Sequence, residues 1–114
     1  MVKRLTDAEL NTIVDDYVAN LKTKIKIDKA ILFGSYAKGT AHDYSDIDLL
    51  IISKQLSERK PKGACGLVLD RLVGFDKVHT DLEVIGVHPS KLNHEVTKSF
   101  FDEVLATGRE IVIN

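Results

Sequence analysis

Residues 33–53 read FGSYAKGTAHDYSDIDLLIIS and carry the strongest structural signal in the chain. The second half of this stretch, DIDLLIIS (46–53), contains five Ile and Leu residues interrupted only by Asp48, which is typical of a buried strand. We therefore predict a strand here, near the middle of a sheet. The apolar run at 30–33 predicts a second buried strand, which Gly34 ends, and the polar segment between the two strands predicts a loop.

Helical and strand patterns alternate along the rest of the chain. Thr6 and Glu9 have the spacing of a capping box and precede apolar residues at helical intervals, which predicts a first helix. The further predicted elements are a helix over 65–73 ended by Gly74, a strand marked by Leu82, Val84, Ile85 and Val87, a last helix marked by Val96, Phe100, Val104 and Leu105 and ended by Gly108, and an edge strand over 111–113. This alternation indicates one α/β structure, and the length of 114 residues favours a single domain over 1–114.

Composition restricts the classes of function. Sixteen Lys and Arg residues balance seventeen Asp and Glu residues, for a net charge of −1, so the basic excess typical of polynucleotide-binding domains is absent and no polynucleotide partner is expected. Cys65 is the only cysteine, which excludes a disulfide within the chain and favours a reducing compartment. The first ten residues lack the apolar core of a signal peptide, and no apolar run is long enough for a membrane span, so we expect a cytoplasmic protein without membrane contact.

Two acids and a Gly-Ser pair are the candidate site residues. Asp46 and Asp48 stand at i and i+2 on the predicted strand, so their side chains point to one face with Cα atoms about 7 Å apart and can share Mg²⁺. Two like charges on an apolar strand are costly without a compensating cation, which argues against a purely structural role. Gly34 and Ser35 end the preceding strand, where backbone N–H groups and a hydroxyl can approach an anion, although such a pair is also an ordinary turn.

Gly-Ser, ten residues, and then Asp-Ile-Asp resembles the signature of the DNA polymerase β-type nucleotidyltransferase superfamily. Within it, this short chain is similar to the minimal nucleotidyltransferases, small proteins often encoded beside a HEPN-domain partner. The resemblance implies the polymerase β-like fold, a small mixed sheet flanked by helices. It also implies that Gly34 and Ser35 bind the β- and γ-phosphates of a nucleoside triphosphate, and that Asp46 and Asp48 hold Mg²⁺. Lys38 stands where relatives often have Arg, and it can contact the triphosphate or simply be solvated.

The resemblance further implies a third acid on a neighbouring strand, completing a triad that holds two Mg²⁺ ions. Asp81 and Glu83 both qualify, because they alternate with apolar residues and share a face of the predicted strand. Glu83 is the preferred candidate since it lies deeper in the strand, and Asp81 is the alternative. No role is assigned to His42, Asp43 and Tyr44, which lie in the predicted loop.

The function implied by the resemblance is Mg²⁺-dependent transfer of a nucleoside monophosphate, AMP from ATP, to a hydroxyl group. A HEPN-type ribonuclease toxin would be the acceptor, with this chain as its antitoxin. Two alternatives stay open: a non-catalytic module that neutralises a toxin by binding it, and a small-molecule transferase of the antibiotic-modifying type that builds its acceptor pocket by forming a homo-oligomer. The basic cluster of Arg59, Lys60 and Lys62 is either a solvated loop or a contact for phosphate or a partner.

Overall fold

The computed structural model describes residues 4–43, 45–58 and 62–113, with the backbone only for 62–64. The elements in chain order are α1 (Asp7–Leu21), β1 (Lys29–Phe33), α2 (Ser35–Lys38), β2 (Ile47–Ile52), α3 (Lys62–Val73), β3 (Leu82–Val87), α4 (Lys98–Thr107) and β4 (Arg109–Ile111). Short 3-10 helices, Phe75–Lys77 and Pro89–Asn93, stand on either side of β3. None of the helices in the described ranges combines the length and apolar character needed to cross a lipid bilayer.

The four strands form one mixed sheet in the order β3-β2-β1-β4. β1 runs antiparallel to both β2 and β4, whereas β2 and β3 run parallel. A parallel pair needs a crossover, and α3 supplies it between β2 and β3. The predicted α/β structure with a mixed sheet and flanking helices is confirmed, and β2 lies inside the sheet as expected.

The first helix begins as the sequence predicts. The Thr6 side chain accepts a hydrogen bond from the Glu9 N–H at 3.2 Å, and the Glu9 carboxylate accepts one from the Thr6 N–H at 2.9 Å. This reciprocal capping box satisfies two backbone donors that the first helical turn would otherwise leave free. The apolar stripe that follows is buried at Leu10, Val14, Tyr17, Val18 and Leu21.

The two faces of the sheet are covered differently. α1 and α3 cover one face, where their apolar side chains join alternate residues of the strands, Ala30, Leu32, Ile47, Leu49, Ile51, Leu82 and Val84. On the opposite face, Phe101 and Val104 of α4 pack against Ile31, Leu50, Ile52 and Val87. Because side chains alternate along a strand, Asp48 belongs to the same face as Leu50 and Ile52. The site therefore lies on the face that a single helix covers.

Several predicted elements have other bounds in the structure, and α3, for example, begins at Lys62 rather than at residue 65. The last helix begins at Lys98, so Val96 lies outside it with 83% of its surface exposed, and Phe101 rather than Leu105 is buried beside Val104. The turn that ends in a hydrogen bond from Lys98 N to His94 O places Val96 ahead of the helix. The edge strand is Arg109–Ile111 instead of 111–113, and the predicted loop after Gly34 begins with the single helical turn of α2.

Candidate active site

Asp48 lies at the centre of the acidic residues predicted from the sequence. It is the second residue of β2, and it pairs with Phe33 of β1 on one side and with Glu83 of β3 on the other. Directly paired residues share a face of the sheet, so the Asp48 and Glu83 side chains are neighbours. Glu83 is exposed and Asp48 is half-buried, which shows that α4 leaves this end of the face open to solvent.

The charges around Asp48 are unfavourable for its ionised form. Burial, the Glu83 carboxylate and the Asp46 carboxylate, in that order, raise the pKa of Asp48 from 3.8 to about 6. Asp46 is exposed and lies just before β2, two residues from Asp48. Burial and the two neighbouring charges thus act in the same direction, and the two charges repel the Asp48 carboxylate. A cation at this position would relieve this repulsion, since an opposite charge within a few ångströms favours the ionised carboxylate.

Gly34 connects β1 to α2 and lies against the Asp48 carboxylate. Its φ of 74° and ψ of −155° are a conformation that only glycine adopts readily, and a Cβ at this position would overlap Oδ2 of Asp48. The sequence therefore needs glycine here for two reasons, the turn and the room for the carboxylate. Ser35 follows as the first residue of α2 and is half-buried beside the same turn.

The alternative third acid, Asp81, lies one step before β3. Its backbone carbonyl accepts a hydrogen bond from the Ile47 N–H at 2.8 Å, and its own N–H donates to Nδ1 of His79 at 3.1 Å. Continued by one residue, the parallel register that pairs Asp48 with Glu83 places Asp81 beside Asp46. The structure thus sets each candidate acid next to one of the two Asp residues, with Glu83 beside the more buried one.

Lys38 is exposed and makes a surface contact with α4. Its Nζ lies 3.1 Å from Oε1 of Glu103, and both side chains are largely exposed. A surface ion pair of this kind contributes little stability, so Lys38 remains available to an anion. Of the predicted basic cluster, Arg59, Lys60 and the side chain of Lys62 lie outside the described residues, as does Tyr44.

A family comparison accounts for this arrangement. The sequence model of the nucleotidyltransferase domain matches residues 14–110, which include the Gly-Ser pair, both Asp residues of the strand and both candidate third acids. The chain belongs to the nucleotidyltransferase domain family. The resemblance inferred from the sequence is confirmed at this level.

Two curated relatives of this nucleotidyltransferase come from Methanocaldococcus jannaschii. The protein named "Putative protein adenylyltransferase MJ0141" is 30% identical over 105 residues, covering 90% of this chain and 99% of the relative. "Putative protein adenylyltransferase MJ1305" is 51% identical over 53 residues, but this match spans only 45% of this chain and 36% of the relative. Similarity to the first relative therefore extends over nearly the whole chain.

Two solved structures share the fold of this nucleotidyltransferase. A crystal structure of a "putative nucleotidyltransferase" from Sulfolobus solfataricus aligns with a TM-score of 0.57 at 19% identity, covering 89% of this chain and 80% of the other. A crystal structure described as "the toxin-antitoxin with AMP-PNP" aligns with a TM-score of 0.55 at 20% identity, covering 88% of this chain and 73% of the other. At these identities the likeness is one of fold.

The donor set of the nucleotidyltransferase site fits a hard divalent cation. Asp46, Asp48 and Glu83 offer only carboxylate oxygens, the ligands that Mg²⁺ prefers. As their side chains stand, no three His, Cys, Asp or Glu residues in the described part of the chain form a ready ligand group. Asp48 and Glu83 are nevertheless adjacent across two hydrogen-bonded strands, about 5 Å apart, so side-chain rotation can bring their oxygens together.

Sequence reasoning missed three contacts beside the site. Tyr36 and Asp43 accept hydrogen bonds from backbone N–H groups ahead of α1, and neither partner is near in sequence. Phe33 also makes an edge-to-face contact with Phe100 of α4, with ring centroids 5.9 Å apart. No local pattern could have revealed these pairs, because each joins positions more than 30 residues apart.

Proposed function

We propose that this nucleotidyltransferase transfers AMP from ATP to a hydroxyl group of a partner protein, with Mg²⁺ as the required cation. One observation carries the proposal: Asp48 and Glu83 lie side by side on the open face of the sheet, against the Gly34 turn, with Asp46 two residues away. Protein adenylyltransferase is also the activity that the names of both curated relatives give. An open acidic face suits a substrate that a second protein presents.

In this proposal each residue has a separate task. Asp46 and Asp48 hold the cation that accompanies the nucleotide, while the Gly34 turn and the Ser35 hydroxyl bind the β- and γ-phosphates. When bound, Mg²⁺ neutralises charge on the triphosphate and on the departing pyrophosphate. The acceptor oxygen bonds to the α-phosphorus as the bond to the β-phosphate oxygen breaks. Glu83 completes the carboxylate set and takes the proton that the acceptor hydroxyl releases.

For the acceptor we propose a HEPN-type ribonuclease toxin carrying a modifiable tyrosine, with this chain as the antitoxin. Support comes from the structural neighbour described as a toxin-antitoxin with AMP-PNP, and from the small size of the described structure, in which the acidic face is open to a partner. Modification would neutralise the toxin chemically. A protein that acts by binding alone would still neutralise the toxin after Asp46, Asp48 and Glu83 were substituted.

A labelling experiment tests the proposed reaction. The purified chain is incubated with Mg²⁺ and a lysate of the source cells, using ATP labelled at either the α- or the γ-phosphate. We expect one protein band that depends on the added chain and takes up the α-label but not the γ-label. The label should disappear with EDTA and with Asp48→Asn, but persist with Asp28→Asn, since Asp28 accepts a hydrogen bond from Lys54 N at the opposite end of the sheet. Labelling by the Asp48 variant would refute the proposed site.

Coexpression separates the enzyme from the binding module. The proposed toxin partner, a HEPN-domain protein, is expressed with the wild type or with Asp48→Asn. Growth rescued by the wild type alone supports modification. Equal rescue by the two proteins would contradict the proposed enzymatic role in neutralisation.

A further inference from the structure

The residues just ahead of α1 are bound to the connection between β1 and β2. The Arg4 N–H donates to Oδ1 of Asp43 at 3.2 Å, and the Leu5 N–H donates to the Tyr36 hydroxyl at 3.0 Å. The next donor, the Thr6 N–H, is the one taken by the capping box of α1. Three consecutive backbone donors are thus satisfied by side chains, and two of these side chains belong to the connection that carries the Gly-Ser pair. We call these two hydrogen bonds the N-terminal clasp.

The two side chains of the clasp lie in sequence between the Gly-Ser pair and Asp46. Tyr36 directly follows Ser35, and Asp43 stands three residues before Asp46. The Tyr36 ring is half-buried and packs with Leu5 and Ala37 against the core beneath α1. One short segment therefore binds both the beginning and the end of the β1–β2 connection.

Within its described residues, the connection is also restrained by the Lys38–Glu103 ion pair, by hydrogen bonds between His42 and Ser45, and by the packing of Ala37 against the core. α2 is a single turn of four residues, and a helix this short is not stable by itself. Its backbone contributes the hydrogen bonds Lys38 N to Gly34 O and Thr40 N to Ser35 O, and residues 38–40 are exposed. Tyr36 and Asp43 supply the hydrogen bonds that join this connection to the chain ahead of α1, so they are the candidates for holding the Gly34 turn from that side.

We propose that Tyr36 and Asp43 are positioning residues that hold the Gly34–Ser35 turn ready for the triphosphate through the N-terminal clasp. This inference rests on the proposed function of the turn. Neither residue contacts nucleotide in this account; the Tyr36 ring fixes α2 against the core, and its hydroxyl and the Asp43 carboxylate tie the connection to the backbone of residues 4 and 5. Because the partners are backbone N–H groups, neither hydrogen bond requires a particular side chain at residue 4 or 5.

The chain offers matched controls for both residues. Tyr36→Phe and Asp43→Ala each remove one hydrogen bond of the clasp. Tyr17→Phe removes another tyrosine hydroxyl contact, to Asp70 at 2.8 Å between α1 and α3, and Asp28→Ala removes another carboxylate that accepts a backbone N–H. The controls lie away from the Gly34 turn, so they report the general cost of such losses.

Two measurements test the clasp. Without ligand, hydrogen exchange at the backbone amides of residues 4, 5 and 35–43 should become faster in Tyr36→Phe and Asp43→Ala and stay unchanged in the controls. With Mg²⁺ and AMP-PNP as the probe, each clasp variant should bind about 5-fold more weakly, the loss expected for one net hydrogen bond, while kcat stays within about 2-fold. The double variant should lose less than the product of the single losses, because both bonds restrain one segment.

The outcomes are distinguishable. Unchanged exchange at residues 35–43 in both clasp variants would overturn the inference, as would binding losses equal to those of Tyr17→Phe and Asp28→Ala. A fall in kcat at unchanged affinity would also overturn it, because positioning of the triphosphate acts on binding. Failure of the wild type to bind Mg²⁺ and AMP-PNP would instead refute the proposed function, and the exchange measurement, which uses no ligand, would still decide on the clasp.

Discussion

Two half-buried aspartates of this protein differ in what surrounds them. Burial raises the pKa of Asp70, but the Tyr17 hydroxyl donates a hydrogen bond to it and pulls this pKa part of the way back. Burial also raises the pKa of Asp48, and there the neighbouring Glu83 and Asp46 charges raise it further. The protein supplies a partner for one carboxylate and further negative charge for the other. The first arrangement is structural, while in the second a bound cation would relieve the repulsion between the carboxylates.

The largest expected effect comes from substituting each of these two aspartates in turn. Asp48→Asn should reduce AMP transfer by at least about 10³-fold, because it removes a charged metal ligand, and should leave the metal-free fold as stable or slightly more stable. Asp70→Ala should leave the activity per folded molecule unchanged and cost about 1–3 kcal/mol, because the buried Tyr17 hydroxyl loses its acceptor. Labelled-AMP transfer and thermal unfolding measure the two quantities. Near-normal transfer by Asp48→Asn would remove the distinction between the two aspartates.

A second prediction concerns the room that Gly34 leaves for Asp48. Gly34→Ala should cost about 3 kcal/mol and reduce transfer by roughly 10²-fold, because the added methyl group overlaps the carboxylate and the backbone conformation suits glycine alone. Gly39 is the matched control: its φ is also 74°, and a Cβ there meets nothing within 4 Å. Gly39→Ala should cost about 1 kcal/mol and leave transfer intact. Equal effects on transfer would show that the contact with Asp48 has no functional weight.

A third prediction decides which acid shares the charge with Asp48. Glu83→Gln should lower the rate of transfer by about 10²-fold, whereas Asp81→Asn should cost little, because the strand register pairs Glu83 directly with Asp48. Both rates are measured at saturating Mg²⁺ and ATP. The reverse order of effects would assign the third carboxylate to Asp81.

The smallest expected effect is on the pH dependence of stability. The folded-state pKa of Asp48, about 6, exceeds its ordinary value of 3.8, so folding favours the protonated form. Stability from this group is therefore complete below pH 3.8 and is lost as the pH rises towards 6. In EDTA, the wild type should lose on the order of 1 kcal/mol more than Asp48→Asn across this window, after allowance for solvent screening. The free energy of unfolding is measured with urea at each pH. The same pH dependence in both proteins would contradict the inference that Asp48 carries an unrelieved charge.

Local patterns predicted much of the fold. The Thr6–Glu9 box and the run of residues 47–52 act within one element, so the sequence alone indicated where α1 begins and that β2 is buried. The prediction that Val96 belongs to the last helix was wrong. Its spacing matches the helical pattern, but the preceding turn places it ahead of the helix. The predicted bounds of the short strand β4 were wrong because its pairing with β1, and not its own composition, determines which residues join the sheet.

The candidate site was predictable to a different degree. Asp46 and Asp48 could be proposed from their spacing, since i and i+2 on a strand share a face. The position of Glu83 beside Asp48 depends on the parallel register of β2 and β3. Without that register, the sequence could not show whether Asp81 or Glu83 lies next to Asp48. The contacts of Tyr36 and Asp43 depend on the path of the chain ahead of α1, which only the folded structure reveals.

The parallel register of β2 and β3 links correct folding to cation binding at the proposed site, because it places Glu83 beside Asp48. A slip of β3 by one residue would turn every side chain to the opposite face, so Leu82 and Val84 would leave the core and Glu83 would enter it. The pairing that seals the hydrophobic interior is the same pairing that places Glu83 beside Asp48. If the proposed site binds a divalent ion, a chain that had trapped the wrong pairing would lose that binding together with its core, and Mn²⁺ binding would then report the native fraction of a refolded sample.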